Sequence, residues 1–164
     1  MIGRMVTSTE SALRRLLERS LVGLLIAVIV WALLDKARDV RSAAELSAFR
    51  QSLAALRVAM VLDRMHSVVT HSPPADGRMR NPFLLLARQP ANYVGDIPLV
   101  AAQAGAVTPG AWFFDQNCPC IGYRPRDDHR FLAPSDGKMM VFPVLSPGVL
   151  AARESYVWRG EVID

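Results

Sequence analysis

The sequence predicts an α+β fold, a long N-terminal helix followed by a small antiparallel sheet. Three observations predict it. Between Ser8 and His71 there is no proline, and Gly23 is the single glycine. Within that stretch Leu46, Phe49, Leu53, Leu56 and Met60 step by three and four, the spacing of one helical face. Beyond it, where all eleven prolines lie, short apolar segments alternate with Gly, Pro and Asp. A helix then a run of strands is the α+β order, with the sheet free to pack on the apolar face of the helix.

Residues 1–19 read as a short tail and helix start. Thr7 and Glu10 have capping-box spacing, so the helix is expected to open there. Residues 20–36 form the apolar segment. Leu21 to Leu34 carries no charge and would span ~21 Å as a helix, against ~30 Å of bilayer hydrocarbon. A secretory signal would need a small-x-small cleavage site, and Asp35-Lys36-Ala37-Arg38-Asp39 follows instead. A buried core helix would need more surrounding chain, because the run is apolar on every side. An uncleaved single-span anchor is the expectation. Arg19 and Lys36 can extend the span by reaching toward the headgroups, and Trp31 suits an interface. Arg4, Arg14, Arg15 and Arg19 before the run slightly outnumber Lys36, Arg38 and Arg41 after it, which favours a cytoplasmic N-terminus.

Residues 37–71 continue the helix outside the membrane. The row from Leu46 to Met60 is expected to pack on the chain's own domain or to form a seam with a partner helix. Ser72-Pro73-Pro74-Ala75-Asp76-Gly77 should end the helix. Asn81-Pro82-Phe83 should restart one through Arg88, with Asn as cap and Pro at the first position. Residues 72–110 are otherwise a connecting segment. Residues 111–164 are expected to form the sheet: Ala111–Asp115 and Ile121–Arg124 as a hairpin, then Lys138–Phe142 and Ser155–Trp158. Pro143 suits an edge or a bulge. Trp112, Phe114 and Tyr123 fit a core-facing row.

Composition narrows function. The chain has 164 residues, 51% of them hydrophobic, and a net charge of +4. Its mean hydropathy is +0.20 and its pI about 9.6. The basic residues are scattered among acids, as in Asp35, Lys36, Arg38, Asp39 and Arg41, without a basic block, so nucleic-acid binding is not expected. Cys118-Pro119-Cys120 is C-x-C, not the C-x-x-C of thioredoxin-type motifs. A local disulfide in the hairpin turn, free or intermolecular thiols, and a metal or redox site all stay open. His66 and His71 read as surface residues and Asp127-Asp128-His129 as a solvated loop. No phosphate loop, G-x-S-x-G or H-E-x-x-H occurs. No enzyme, cofactor, metal or small-molecule substrate is expected.

Ser20-Leu21-Val22-Gly23-Leu24-Leu25-Ile26-Ala27-Val28-Ile29 resembles the N-terminal helix of type IV pilins and type II secretion pseudopilins. Leu21-Val22 and Leu24-Leu25-Ile26 match that family's pattern. Gly23 stands where the family has a glutamate, and Glu18-Arg19 stands at its Gly–Phe cleavage junction. The second half is similar to proteobacterial pseudopilin-like proteins in Asn81-Pro82-Phe83, in Gln89-Pro90-Ala91-Asn92-Tyr93-Val94-Gly95, and in Pro109-Gly110-Ala111-Trp112-Phe113-Phe114-Asp115 with Tyr123-Arg124-Pro125. The resemblance covers most of residues 20–126. Locally, Pro109-Gly110 is a turn feeding the aromatic strand, and Asn92 and Gly95 suit unusual backbone angles.

The resemblance implies a non-enzymatic component of a type II secretion or MSHA-type type IV pilus apparatus. It would be a single-pass bacterial inner-membrane protein with a periplasmic C-terminal domain. Its partners would be pilins, pseudopilins or secretion-platform membrane proteins. Without the cleavage junction it would stay in the membrane. The alternative is a membrane-anchored periplasmic binding or sensing module that uses the Cys-Pro-Cys turn.

Overall fold

The computed structural model describes residues 3–70, 81–126, 131–135, 138–146 and 149–164, with backbone alone for residues 3–16 and 146. The chain is α+β. Helix α1 spans Gly3–Val69, and a 3-10 turn follows at Pro82–Leu85. Then come β1 (Tyr93–Asp96), a short helical turn α2 (Leu99–Ala101) that widens over Ala102–Ala106, β2 (Ala111–Asp115) and β3 (Cys120–Arg124). The series closes with β4 (Phe131–Leu132), β5 (Met140–Ser146), β6 (Val149–Leu150), β7 (Tyr156–Trp158) and β8 (Glu161–Ile163). Two compact units divide the chain, Met1–Ala43 and Ala44–Asp164.

In the first unit, the described side chains of the apolar run lie open. Leu21 to Leu34 has no buried residue, and α1 is the one helix among the described residues long and apolar enough to cross a membrane. An apolar surface of this extent is not stable facing water; a bilayer removes that cost.

In the second unit, the strands form a five-stranded sheet in the order β1-β2-β3-β5-β6 and a three-stranded sheet, β4-β7-β8. Leu46, Phe49, Leu53, Leu56 and Met60 of α1 are buried in one core with Trp112, Phe114, Ile121, Tyr123, Phe142, Tyr156 and Trp158. Phe49 is 1% exposed. Its ring stacks on Trp112 at 5.0 Å and meets Tyr123 at 5.1 Å, Trp158 at 5.7 Å and Phe142 at 6.0 Å. One side chain thus touches strands of both sheets. The seam with a partner helix is excluded for this row, because the chain's own strands already occupy the face.

The sheet has a second buried face. Phe113 points away from α1 and packs with Ala102, Val107, Ala111 and Met139, with Ile97 and Leu99 at the margin. Its ring covers Gly122, its cross-strand partner, and a Cβ on Gly122 would collide with it. Glycine at that position is therefore a packing requirement.

Several expectations need correction. The sheet is not purely antiparallel, nor single, and it does not begin at residue 111. β1 pairs parallel with β2, Tyr93 opposite Trp112 and Asp96 opposite Phe114. Parallel neighbours need a crossover of about a dozen residues; Ile97 to Gly110 supplies it and covers the Phe113 face. The helix expected from Asn81 to Arg88 is a single 3-10 turn, although Asn81 does cap it by accepting the Phe83 N–H at 3.0 Å. Thr7 is not a cap, because α1 is already helical from Gly3. Pro143 sits in β5, an internal strand, beside a register shift between Val144 and Ser146. Ser72–Gly77 lies outside the described residues.

Truncating Phe49 removes the ring shared by the two sheets and leaves a cavity the strands cannot close. Phe49→Ala should cost about 3–5 kcal/mol in denaturant unfolding followed by near-UV circular dichroism. A cost under about 1 kcal/mol would show that the helix and sheets close without it.

Candidate functional site

The motif residues converge on the β1–β2 end of the sheet. The Asn81 amide is buried and donates to the Tyr93 hydroxyl and to Asp96 Oδ1, both at 2.6 Å. The Tyr93 hydroxyl donates to Asp96 Oδ1 at 3.1 Å. Pro82 is buried, and Phe83 stacks on the Tyr93 ring at 4.1 Å. Asn92 donates to the Gly110 carbonyl at 2.6 Å, and its own carbonyl accepts the Trp112 N–H at 2.9 Å. Gly95 has φ +101° and Gly110 φ +84°, backbone angles that favour glycine. Pro109 is exposed in the turn before Gly110. These groups satisfy one another's polar atoms and hold the parallel strand against its neighbour.

Asp115 closes β2. Its carboxylate is buried and accepts the Leu99 N–H at 2.7 Å and the Asn117 N–H at 2.8 Å. It thus fixes the start of the crossover helix and the first bend of the hairpin turn. In that turn Cys118 and Cys120 form a disulfide, with Cα atoms 5.2 Å apart. Asp115, Cys118 and Cys120 present donor atoms within 4.8 Å of one another. In the oxidised turn the two sulfurs are bonded to each other, and each Asp115 oxygen accepts one backbone N–H.

Trp112, Phe114 and Tyr123 lie together on the face that meets the Leu46–Met60 row. The Tyr123 hydroxyl donates to Glu45 Oε1 at 2.7 Å, and the same oxygen accepts the Arg126 N–H at 2.9 Å. Burial, and then the Glu45 carboxylate, raise the Tyr123 pKa well above its ordinary value. Burial is also the main cause that raises Tyr156, whose hydroxyl accepts the Val141 N–H at 2.8 Å, and Tyr93, pushed up to about 12.

Some positioning residues are not visible in the sequence pattern. Glu45 borders the buried row, yet its partner Tyr123 is 78 positions away. Arg50 pairs with Glu161, and Arg57 donates to the Leu150 and Asp164 carbonyls at 3.3 and 2.9 Å. Both arginines tie the helix to the last strands.

A second apolar row runs along α1, also unread in the sequence. Val58, Val61, Leu62, Met65 and Val68 share one helical face, and all are exposed, Leu62 at 59%. By angle this face is about 135° from the buried row. His66 is exposed on the last turns of α1. His71 and Asp127-Asp128-His129 lie outside the described residues. Nothing among the described groups joins a nucleophile, a base and an orienting group.

The chain has three tyrosines, and all three are held protonated by the fold. Below pH 10 folded and unfolded chains bind the same tyrosine protons. Above it the unfolded chain ionises and the folded one does not, so stability falls from pH 10 toward 12. Absorbance titration should show almost no tyrosinate at pH 10, then a cooperative rise with loss of near-UV dichroism. Half-ionisation at pH 10 with the fold intact would contradict the buried hydrogen bonds of Tyr123 and Tyr156.

No protein-family model, curated protein or solved structure matches this chain.

Proposed function

We propose that this chain is a non-enzymatic, pilin-like component of a bacterial inner-membrane apparatus for type II secretion or type IV pilus assembly. It acts by protein–protein contact, with pilins, pseudopilins or secretion-platform membrane proteins as partners. Its N-terminus is cytoplasmic, its apolar run crosses the membrane once, and its α+β unit lies in the periplasm.

One observation carries this reading. Helix α1 has an apolar stretch whose described side chains are all exposed, and further along a face closed by the chain's own sheet. That is the layout of a pilin-type spine. The exposed row of Val58, Leu62 and Met65 adds a contact surface outside the span, since apolar side chains aligned on one helical face favour a partner helix. The occupant is the helix of another membrane-anchored pilin-like protein, held alongside by the same bilayer. The motif residues support the reading as scaffold: their polar groups are spent on one another. The missing Gly–Phe junction keeps the chain in the membrane and out of a fibre.

The test is a mild-detergent pull-down of the tagged full-length chain from its host, read by mass spectrometry against a control anchor. Pilins or secretion-platform proteins should be enriched, and Leu62→Arg should cut that enrichment at least threefold with unfolding unchanged. No enrichment of membrane assembly proteins, or an N-terminus processed near residue 19 or 20, would contradict the proposal.

A further inference from the structure

The two cysteines of the chain are joined to each other, Cys118 to Cys120, around Pro119 alone. As a staple this bond does little. A disulfide stabilises mainly by restricting the unfolded chain, and the effect shrinks with the length of the loop it closes. The positions it joins are also fixed by other means. Asp115 and Cys120 are cross-strand partners in β2 and β3. The Asn117 N–H is held by Asp115, the Gln116 amide donates to Asp96 Oδ2 at 2.7 Å, and the Pro119 carbonyl accepts the Val144 N–H at 3.0 Å. What distinguishes the bond is unequal access. Cys118 is exposed at the tip of the turn, whereas Cys120 is 1% exposed at the start of β3. An incoming thiolate meets one sulfur and not the other.

We infer that Cys118–Cys120 is a thiol–disulfide exchange site, with Cys118 as the attacked sulfur and an external dithiol as the reductant. One thiolate of the dithiol bonds to Cys118 Sγ as the Cys118–Cys120 bond breaks. The Cys120 sulfur leaves with the electron pair and takes a proton from solvent. The second thiolate of the reagent then attacks its own partner sulfur in the mixed disulfide. This closes the reagent's disulfide and releases Cys118, which is protonated in turn. Two electrons pass from the dithiol to the turn, and the reverse sequence reoxidises it. The inference does not depend on the assembly reading.

The experiment uses the full-length chain in detergent, purified without reductant, at native pH. Dithiothreitol is added, samples are acid-quenched and alkylated, and the reduced fraction is read by mass. The pair should be reduced at least tenfold faster than the domain unfolds, with the near-UV signal retained throughout. Glutathione, a monothiol that cannot complete the second step intramolecularly, should leave its adduct on Cys118. Free Cys118 in Cys120→Ser should alkylate at least tenfold faster than free Cys120 in Cys118→Ser. Reduction no faster than unfolding, loss of the near-UV signal on reduction, or preferential modification of Cys120 would each overturn the inference. The two measurements on the unaltered chain stand even where a serine variant fails to fold.

Discussion

Phe49 is the contact on which the Ala44–Asp164 unit closes. Two small sheets, one built partly from strands of two or three residues, have too little area each to be stable alone. The Phe49 ring, stacked on Trp112 and bounded by Tyr123, Phe142 and Trp158, gives both sheets a common surface. Leu46, Leu53, Leu56 and Met60 extend that surface along the helix. Polar ties then fix its orientation: Tyr123 to Glu45 near one end, Arg57 to the Leu150 and Asp164 carbonyls further along. Apolar burial supplies the driving force, and the hydrogen bonds select one arrangement.

Much of this was legible in the sequence, and for a physical reason. The Leu46–Met60 row and the Trp112, Phe114, Tyr123 set both rest on local periodicity, which a single stretch of chain carries in full. β1 was not legible. Tyr93-Val94-Gly95-Asp96 has a glycine and an acid among four residues, and it is a strand because Asn81, Asn92 and β2 hold it there. β4, β6 and β8 are too short to show an alternation. Phe113 escaped notice as a second core because β2 is buried on both faces, which removes the alternation that marks a one-sided strand. At the candidate site, the cysteine pair was visible as a motif, but its unequal exposure was not. Nor could the partnership of Glu45 with Tyr123 be read, since their separation carries no local pattern.

The helix therefore has different tasks along its length. Its apolar run is uncovered, its Phe49 face belongs to the sheet, and its Val58–Met65 face is open. Among the described residues, the first and last stay exposed. This division is what links the fold to the proposed role. A protein that works by contact needs a surface that folding has not consumed, and here folding consumes one face of one half of the helix. The motif residues at Asn81, Asn92, Tyr93, Gly95, Gly110 and Asp115 contribute indirectly, by fixing the sheet that occupies that face.

The most direct measurement is site-specific photocrosslinking in native membranes, with a photoreactive residue placed in turn at Val28, Leu62 and Leu53. The account predicts adducts to other membrane proteins from Val28 and Leu62, and only internal crosslinks to the sheet from Leu53. Intermolecular adducts from Leu53, with none from Val28 or Leu62, would mean that the buried row is the partner face, and the account would be wrong.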